Sequence, residues 1–102
     1  MKLEFSRHAQ ERITERHITR GEIVCAVLYG NREKANKRWT FEYTYKDFVV
    51  VVAEHENGKM VVVSCEYTQK FTKYAKKFAK QHGIGFYKAL RRLRESNFTL
   101  AS

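Results

Sequence analysis

"WTFEYTYKDFVVVVAEHENGKMVVVSCEY" spans residues 39–67, and its reading decides the fold. In "WTFEYTY", Trp39, Phe41, Tyr43 and Tyr45 fall on one side and Thr40, Glu42 and Thr44 on the other, the period of a half-buried strand. Lys46-Asp47 reads as a tight turn. "FVVVVA" is apolar on both faces and belongs in the middle of a sheet. Asn57-Gly58 is the strongest short hairpin signal, and "MVVVSCEY" returns as the next strand. Two-residue loops at both turns would set Val50 opposite Tyr43 and Cys65, and Val52 opposite Phe41 and Val63. One face then carries Trp39, Phe41, Tyr43, Tyr45, Phe48, Val50, Val52, Val61, Val63 and Cys65, and is expected to be the core. The other carries Glu42, Val49, Val51, Ala53, His55, Val62, Ser64 and Glu66, a mixed surface that binds something or is capped.

Working outward toward the N-terminus, "REKANKR" is polar and reads as a loop or an edge strand. "FSRHAQERITERHITRGEIVCAVLYG", residues 5–30, reads as two helices. Ser6 suits an N-cap, and Ala9 and Ile13 anchor the first helix, which runs to about His17. Thr19 and Glu22 make a T-x-x-E capping box, with Ile18 and Ile23 placed for a hydrophobic staple. Gly30 is expected to end the second helix in the left-handed conformation.

Toward the C-terminus, "TQKFTKYAKKFAKQHG" sets Phe71, Tyr74, Ala75, Phe78 and Ala79 on one helical stripe. Gly83-Ile84 reads as a helix stop. "GFYKALRRLRESN" restarts with Phe86, Leu90 and Leu93 inward. The expected class is α+β: two N-terminal helices on a three- to four-stranded antiparallel meander, then a basic αα-hairpin that could cap the second sheet face. All 102 residues are expected to form a single domain, with an ααβββ core over 5–67 and a helical extension over 68–102.

The charge is unevenly spread. Residues 68–102 hold nine Lys/Arg and one Glu, whereas residues 1–67 hold eleven Lys/Arg and ten Asp/Glu, in a chain of net charge +9. Lys70, Lys73, Lys76, Lys77, Lys80, Lys88, Arg91, Arg92 and Arg94 are thus candidate nucleic-acid contacts, since such a block attracts polyanions by counterion release. The same helices have some features of a DNA-reading helix-turn-helix. The turn "GIG" is short for that motif and Ala89 is small where it wants a branched residue, so a packed αα-hairpin gripping RNA or ribosome is the reading adopted.

No apolar run reaches the roughly 18 residues of a membrane span, and the N-terminus lacks a signal-peptide core, so no membrane partner and a cytoplasmic location are expected. Cys25 and Cys65 have neither CxxC nor metal-ligand spacing and read as reduced apolar residues. No metal and no cofactor is called for.

His8, Arg12 and Arg16 recur at i, i+4 and i+8, one polar stripe on a helix. Arginine recognises a phosphoryl group bidentately, and histidine can move a proton near neutrality. The pair suffices in principle for metal-free RNA cleavage, with the histidine activating a ribose 2′-OH and arginines stabilising the phosphorane. Ordinary surface pairs such as Arg12 with Glu15 are equally compatible with the spacing. His55, beside the hairpin, reads as a solvated residue.

Ser6, His8, Ala9, Arg12, Arg16 and Ile18 fit a Ser-x-His-Ala-x-x-Arg-x-x-x-Arg-x-Ile pattern that resembles the opening of the DUF4258 family, and the resemblance extends over residues 5–67. The family is thought to be related to the barnase–EndoU–colicin–RelE ribonuclease toxins. The resemblance implies an RNase-like fold and an endoribonuclease of toxin or phage type, for which an acidic antitoxin is a conceivable partner. On it, His8 and Arg12 are the first catalytic candidates and Arg16 their phosphate partner. Glu42, Glu66 and Tyr67 come second. The family's Arg-x-Tyr-like strand is matched only loosely by "KRWTFEY", and the basic tail is not a family feature. A nucleic-acid-binding regulator or adaptor with no catalysis, working through the tail, is the alternative.

Overall fold

The computed structural model describes residues 3–96 and 98–100. Along the chain run β1 (Leu3–Phe5), α1 (Arg7–Arg16), α2 (Arg20–Tyr29), β2 (Asn31–Lys34), β3 (Thr40–Tyr45), β4 (Phe48–Glu54), β5 (Met60–Tyr67), α3 (Gln69–His82) and α4 (Phe86–Glu95). The class is α+β, but the expected layout needs correction. A strand precedes the two helices, and the sheet has five strands in the order β1-β5-β4-β3-β2. β1 pairs in parallel with β5, and every other pairing is antiparallel. β2 is the edge strand that "REKANKR" allowed, and β1, at the other edge, was not expected. "LEF" is too short to show a period, and all four residues of "NREK" are exposed, so neither carries an alternating apolar signal.

The local signals in the helices hold with one exception. Ser6 Oγ accepts from the amide of Ala9, and the Thr19–Glu22 capping box closes in both directions. Gly83 ends α3 at φ 62°, and the Ile84 amide reaches the Ala79 carbonyl. Gly30 is the correction: its φ is −74°, extended rather than left-handed. A Cβ there would lie 2.4 Å from the Ala26 carbonyl oxygen and 2.9 Å from that of Thr44. Glycine is required by close backbone approach where α2 meets the sheet, not by handedness.

The Lys46-Asp47 turn has the expected two residues, with Tyr45 opposite Phe48. The β4–β5 connection does not. His55 and Lys59 close a three-residue loop with Gly58 at φ 84°, which sets Val52 opposite Val62. A bulge beside Val51 and Val52 then restores Val50 opposite Cys65. The extra loop residue and the bulge cancel. The core therefore takes Val62 in place of Val61 and Val63, which remain half-exposed. Trp39, expected inside, is 49% exposed.

α1 and α2 lie on the face of Phe48, Val50, Val52, Val62 and Cys65, with Ala9, Ile18, Ile23 and Ala26 buried against it. The tail does not cap the opposite face. α4 packs on α1 and α3, and Phe71, Ala75, Leu90 and Leu93 join the same core cluster as the sheet. Val49, Val51, Ala53, Val61, Val63 and Ser64 on the far face are all half-exposed. Among the described residues, no helix is long and apolar enough to cross a membrane.

Candidate functional site

β1 covers β5 only from Met60 to Val62, so the outer edge of β5 beyond that point needs other partners. α1 supplies them. The amide of Ser6 donates to the Val62 carbonyl at 2.9 Å, and Arg16 Nη1 donates to the Cys65 carbonyl. Tyr67 Oη returns a bond to the Arg16 carbonyl. α1 is thus laced along a strand edge, and the stripe predicted from spacing runs beside it.

Along that stripe, Arg12 Nε donates to His8 Nε2 at 3.3 Å, and Arg12 Nη1 pairs with Glu15 Oε2 at 3.2 Å. His8 is exposed, while Arg12 and Arg16 are half-buried. The structure brings His8 and Arg12 into direct contact. Arg16 is turned to the sheet, where its guanidinium is engaged by backbone. Its charge is felt at Cys65, where burial pushes the thiol up to about 11 against the opposing pull of Arg16 and Arg12.

Tyr67 and Glu66 differ in burial, although both line the hollows where β5 ends. Tyr67 is 8% exposed and stacks on Phe71 with ring centroids 4.8 Å apart. Burial pushes its hydroxyl up to about 12, with the positive charges of Arg94 and Arg16 acting the other way. Glu66 is exposed and opens onto two adjoining hollows where β5 ends. One, of about 220 Å³, is lined by Arg16, Glu66, Thr72, Phe86 and Tyr87. The other, of about 290 Å³, is lined by Glu66, Gln69, Thr72, Lys73 and Lys76. Glu42 is exposed on the far face, opposite Glu33.

Of the tail cations, Lys70, Lys73, Lys76, Lys77, Lys80, Lys88, Arg91 and Arg92 are exposed. Arg91 also pairs with Glu95 at 3.8 Å. Arg94 is placed differently. It is half-buried, pairs with Glu22, and donates to the His17 carbonyl at 3.3 Å, tying α4 to the α1–α2 corner. Burial alone would raise the Glu22 carboxyl, but its bonds to Arg94 and Thr19 outweigh this and hold it below its ordinary value. Tyr87, 49% exposed at the hollow's rim, is a contact that the sequence pattern does not flag. In "GFYKAL" it reads as the outer side of a helix, and only the packing of α4 on α1 and α3 makes that side a wall of the hollow. Among the described residues, no three His, Cys, Asp or Glu side chains converge as metal ligands would.

A family model described as a domain of unknown function, DUF4258, matches residues 5–70. No curated protein matches the chain. Among solved structures, a chain of the toxin–antitoxin complex RelBE2 from Mycobacterium tuberculosis is similar at 12% identity and a TM-score of 0.44, over 66% of this chain and 96% of that one. That likeness is too distant to carry a function.

Proposed function

The chain belongs to the DUF4258 family, and from that premise we propose that it binds RNA and cleaves it without a metal, as an endoribonuclease of toxin or phage type. The observation that carries this reading is the continuity of the site. Arg16, one helical turn beyond the His8–Arg12 contact, walls the first hollow, and Glu66 is shared with the second, which Lys73 and Lys76 line. In this reading the backbone of a single strand lies along that line. Arg12 leaves His8 Nε2 and Glu15 for a phosphate, which frees the Nε2 lone pair and neutralises charge on the reacting group. His8 Nε2 takes the proton of the adjacent 2′-OH as O2′ bonds to phosphorus. The P–O5′ bond breaks, and O5′ leaves with a proton from water. The products are a 2′,3′-cyclic phosphate and a 5′-hydroxyl. Arg16 and Tyr67 are positioning residues that lock α1 to the strand, Glu66 shapes the hollow, and the exposed tail cations hold flanking phosphates. A net charge of +9 also makes an acidic protein a complementary partner.

Labelled single-stranded RNA incubated with the pure protein in EDTA tests this. His8→Ala and Arg12→Ala should each lower cleavage about 100-fold or more. Unchanged cleavage in either variant refutes the assignment. A second reading, binding without cleavage, is favoured by the ties that Arg12 and Arg16 already have to Glu15 and the Cys65 carbonyl. Tight, salt-sensitive binding with no product in EDTA would select it.

A further inference from the structure

At the opposite end of the sheet, the β2–β3 connection and the β4–β5 hairpin face each other across a groove of about 610 Å³, lined by Arg38, Trp39, Ala53, Glu54, His55, Glu56 and Asn57. Nothing in the proposed cleavage site uses it. Trp39 lines it and is 49% exposed.

Trp39 sits at φ 62°, the left-handed region that a bulky L-residue enters only under strain. Glycine or asparagine would fit this turn better. The conformation is held from three sides: the Glu54 amide donates to the Trp39 carbonyl at 2.8 Å, the Thr40 amide to that of Lys37 at 3.2 Å, and the Ala35 amide to that of Thr40 at 2.9 Å. A strained position occupied by the largest side chain, with that side chain left half in water, is unfavourable as packing alone. It is suited to presenting a flat π-surface in a fixed pose.

The charges around the indole specify what it presents to. Lys34, Lys37 and Arg38 are exposed, and none forms an ion pair among the described residues. The Arg38 guanidinium lies 5.6 Å from the Trp39 ring centroid. No carboxylate occurs from Lys34 to Phe41. On the opposite wall, Glu54 is already neutralised. Arg32 Nη2 binds it at 3.1 Å and Tyr43 Oη at 2.6 Å, and these bonds hold its carboxyl below its ordinary value although burial alone would raise it. Lys59 is paired with Glu4 at 3.0 Å. Glu56 is the remaining acid of that wall. It disfavours a phosphate on the hairpin side and leaves the end of β2 and the β2–β3 connection, with Lys34, Lys37 and Arg38, as the cationic side.

An aromatic platform flanked on one side by cations is the pattern that takes an unpaired nucleobase with its phosphates. We propose that this groove is a stacking subsite for one base of single-stranded RNA, with Trp39 as the platform and Lys34, Lys37 and Arg38 on the adjoining phosphates. It rests on the reading above only in taking RNA as the polyanion, and requires no cleavage.

Trp39 is the chain's one tryptophan, so its fluorescence reports on this groove alone. Titrating the full chain with an unstructured 2′-O-methyl RNA oligonucleotide, which cannot be cleaved, should quench that fluorescence saturably. The quenching should track binding followed by polarisation of an end-labelled copy. Trp39→Gly should lower the affinity about tenfold while keeping a cooperative melt, because glycine suits the left-handed turn. Trp39→Tyr should stay within about threefold of the parent. Polarisation showing saturation with fluorescence unchanged, or full affinity in Trp39→Gly, overturns the subsite. Quenching by a protein that cleaves no RNA leaves the subsite standing and removes the nuclease, whereas absence of any binding at low salt removes both.

Discussion

At the scale of single residues, two positions that look interchangeable with their neighbours are fixed by the backbone packed around them. Tyr67 is half of a reciprocal latch, in which its hydroxyl donates to the Arg16 carbonyl while Arg16 donates to that of Cys65. Tyr67→Phe should cost about 1 kcal/mol in urea unfolding. Its pH dependence has a definite sign. The folded hydroxyl, near 12, lies above the ordinary value of 10, so its contribution is complete below pH 10 and lost as pH rises toward 12. Tyr67→Phe should therefore flatten the alkaline fall in stability, as thermal melts from pH 9 to 12 would read. Gly30 is the other case. A methyl group there meets two carbonyl oxygens, so Gly30→Ala should cost about 2–3 kcal/mol, where a helix-end glycine with open space around it would lose far less. The spacing of His8, Arg12 and Arg16 was legible in the sequence. That Arg12 would meet His8 while Arg16 turned to a carbonyl was not, because both are allowed by the same i, i+4 geometry. The choice belongs to the position of β5.

At the scale of elements, the basic tail separates into a wet face and a joint. The exposed cations of α3 and α4 form the face, and Arg94 is the joint to α2 through Glu22 and the His17 carbonyl. Arg94→Ala is expected to lower stability by about 1–2 kcal/mol and to leave RNA affinity of the folded protein unchanged. Replacing Lys73, Lys76, Lys77 and Lys80 by Gln should do the reverse: an unchanged melting temperature, weaker RNA binding and a shallower dependence on salt. Glu22 gives the joint an acid limit. Its carboxyl is held below the ordinary 4.5, so its stabilisation is present above that pH and is lost as pH falls through the lowered value. Acid unfolding of Glu22→Gln should begin from a lower stability and lose less between pH 5 and 3.

At the scale of the whole molecule, the tail is part of the core. Phe71 stacks on Tyr67, Leu90 and Leu93 are buried with the sheet, and the buried Asp47 accepts from Thr99 Oγ1 at 2.7 Å and the Leu100 amide at 2.9 Å. We expect far-UV circular dichroism and Trp39 fluorescence to melt together, and a chain cut after Tyr67 to lose cooperative unfolding. Charge substitution rather than truncation is therefore the proper test of the tail in RNA binding. The sequence by itself determined what short-range chemistry encodes: the capping box, the two-residue turn at Lys46-Asp47, three of the five strands, four helices and the excess of charge in the tail. Only tertiary structure decided where the edge strands pair, which of Val61, Val62 and Val63 enters the core, and which faces stay wet. A short strand, a bulge and an exposed tryptophan each draw their stability from partners ten or more residues away. Neither periodicity nor local propensity carries that information.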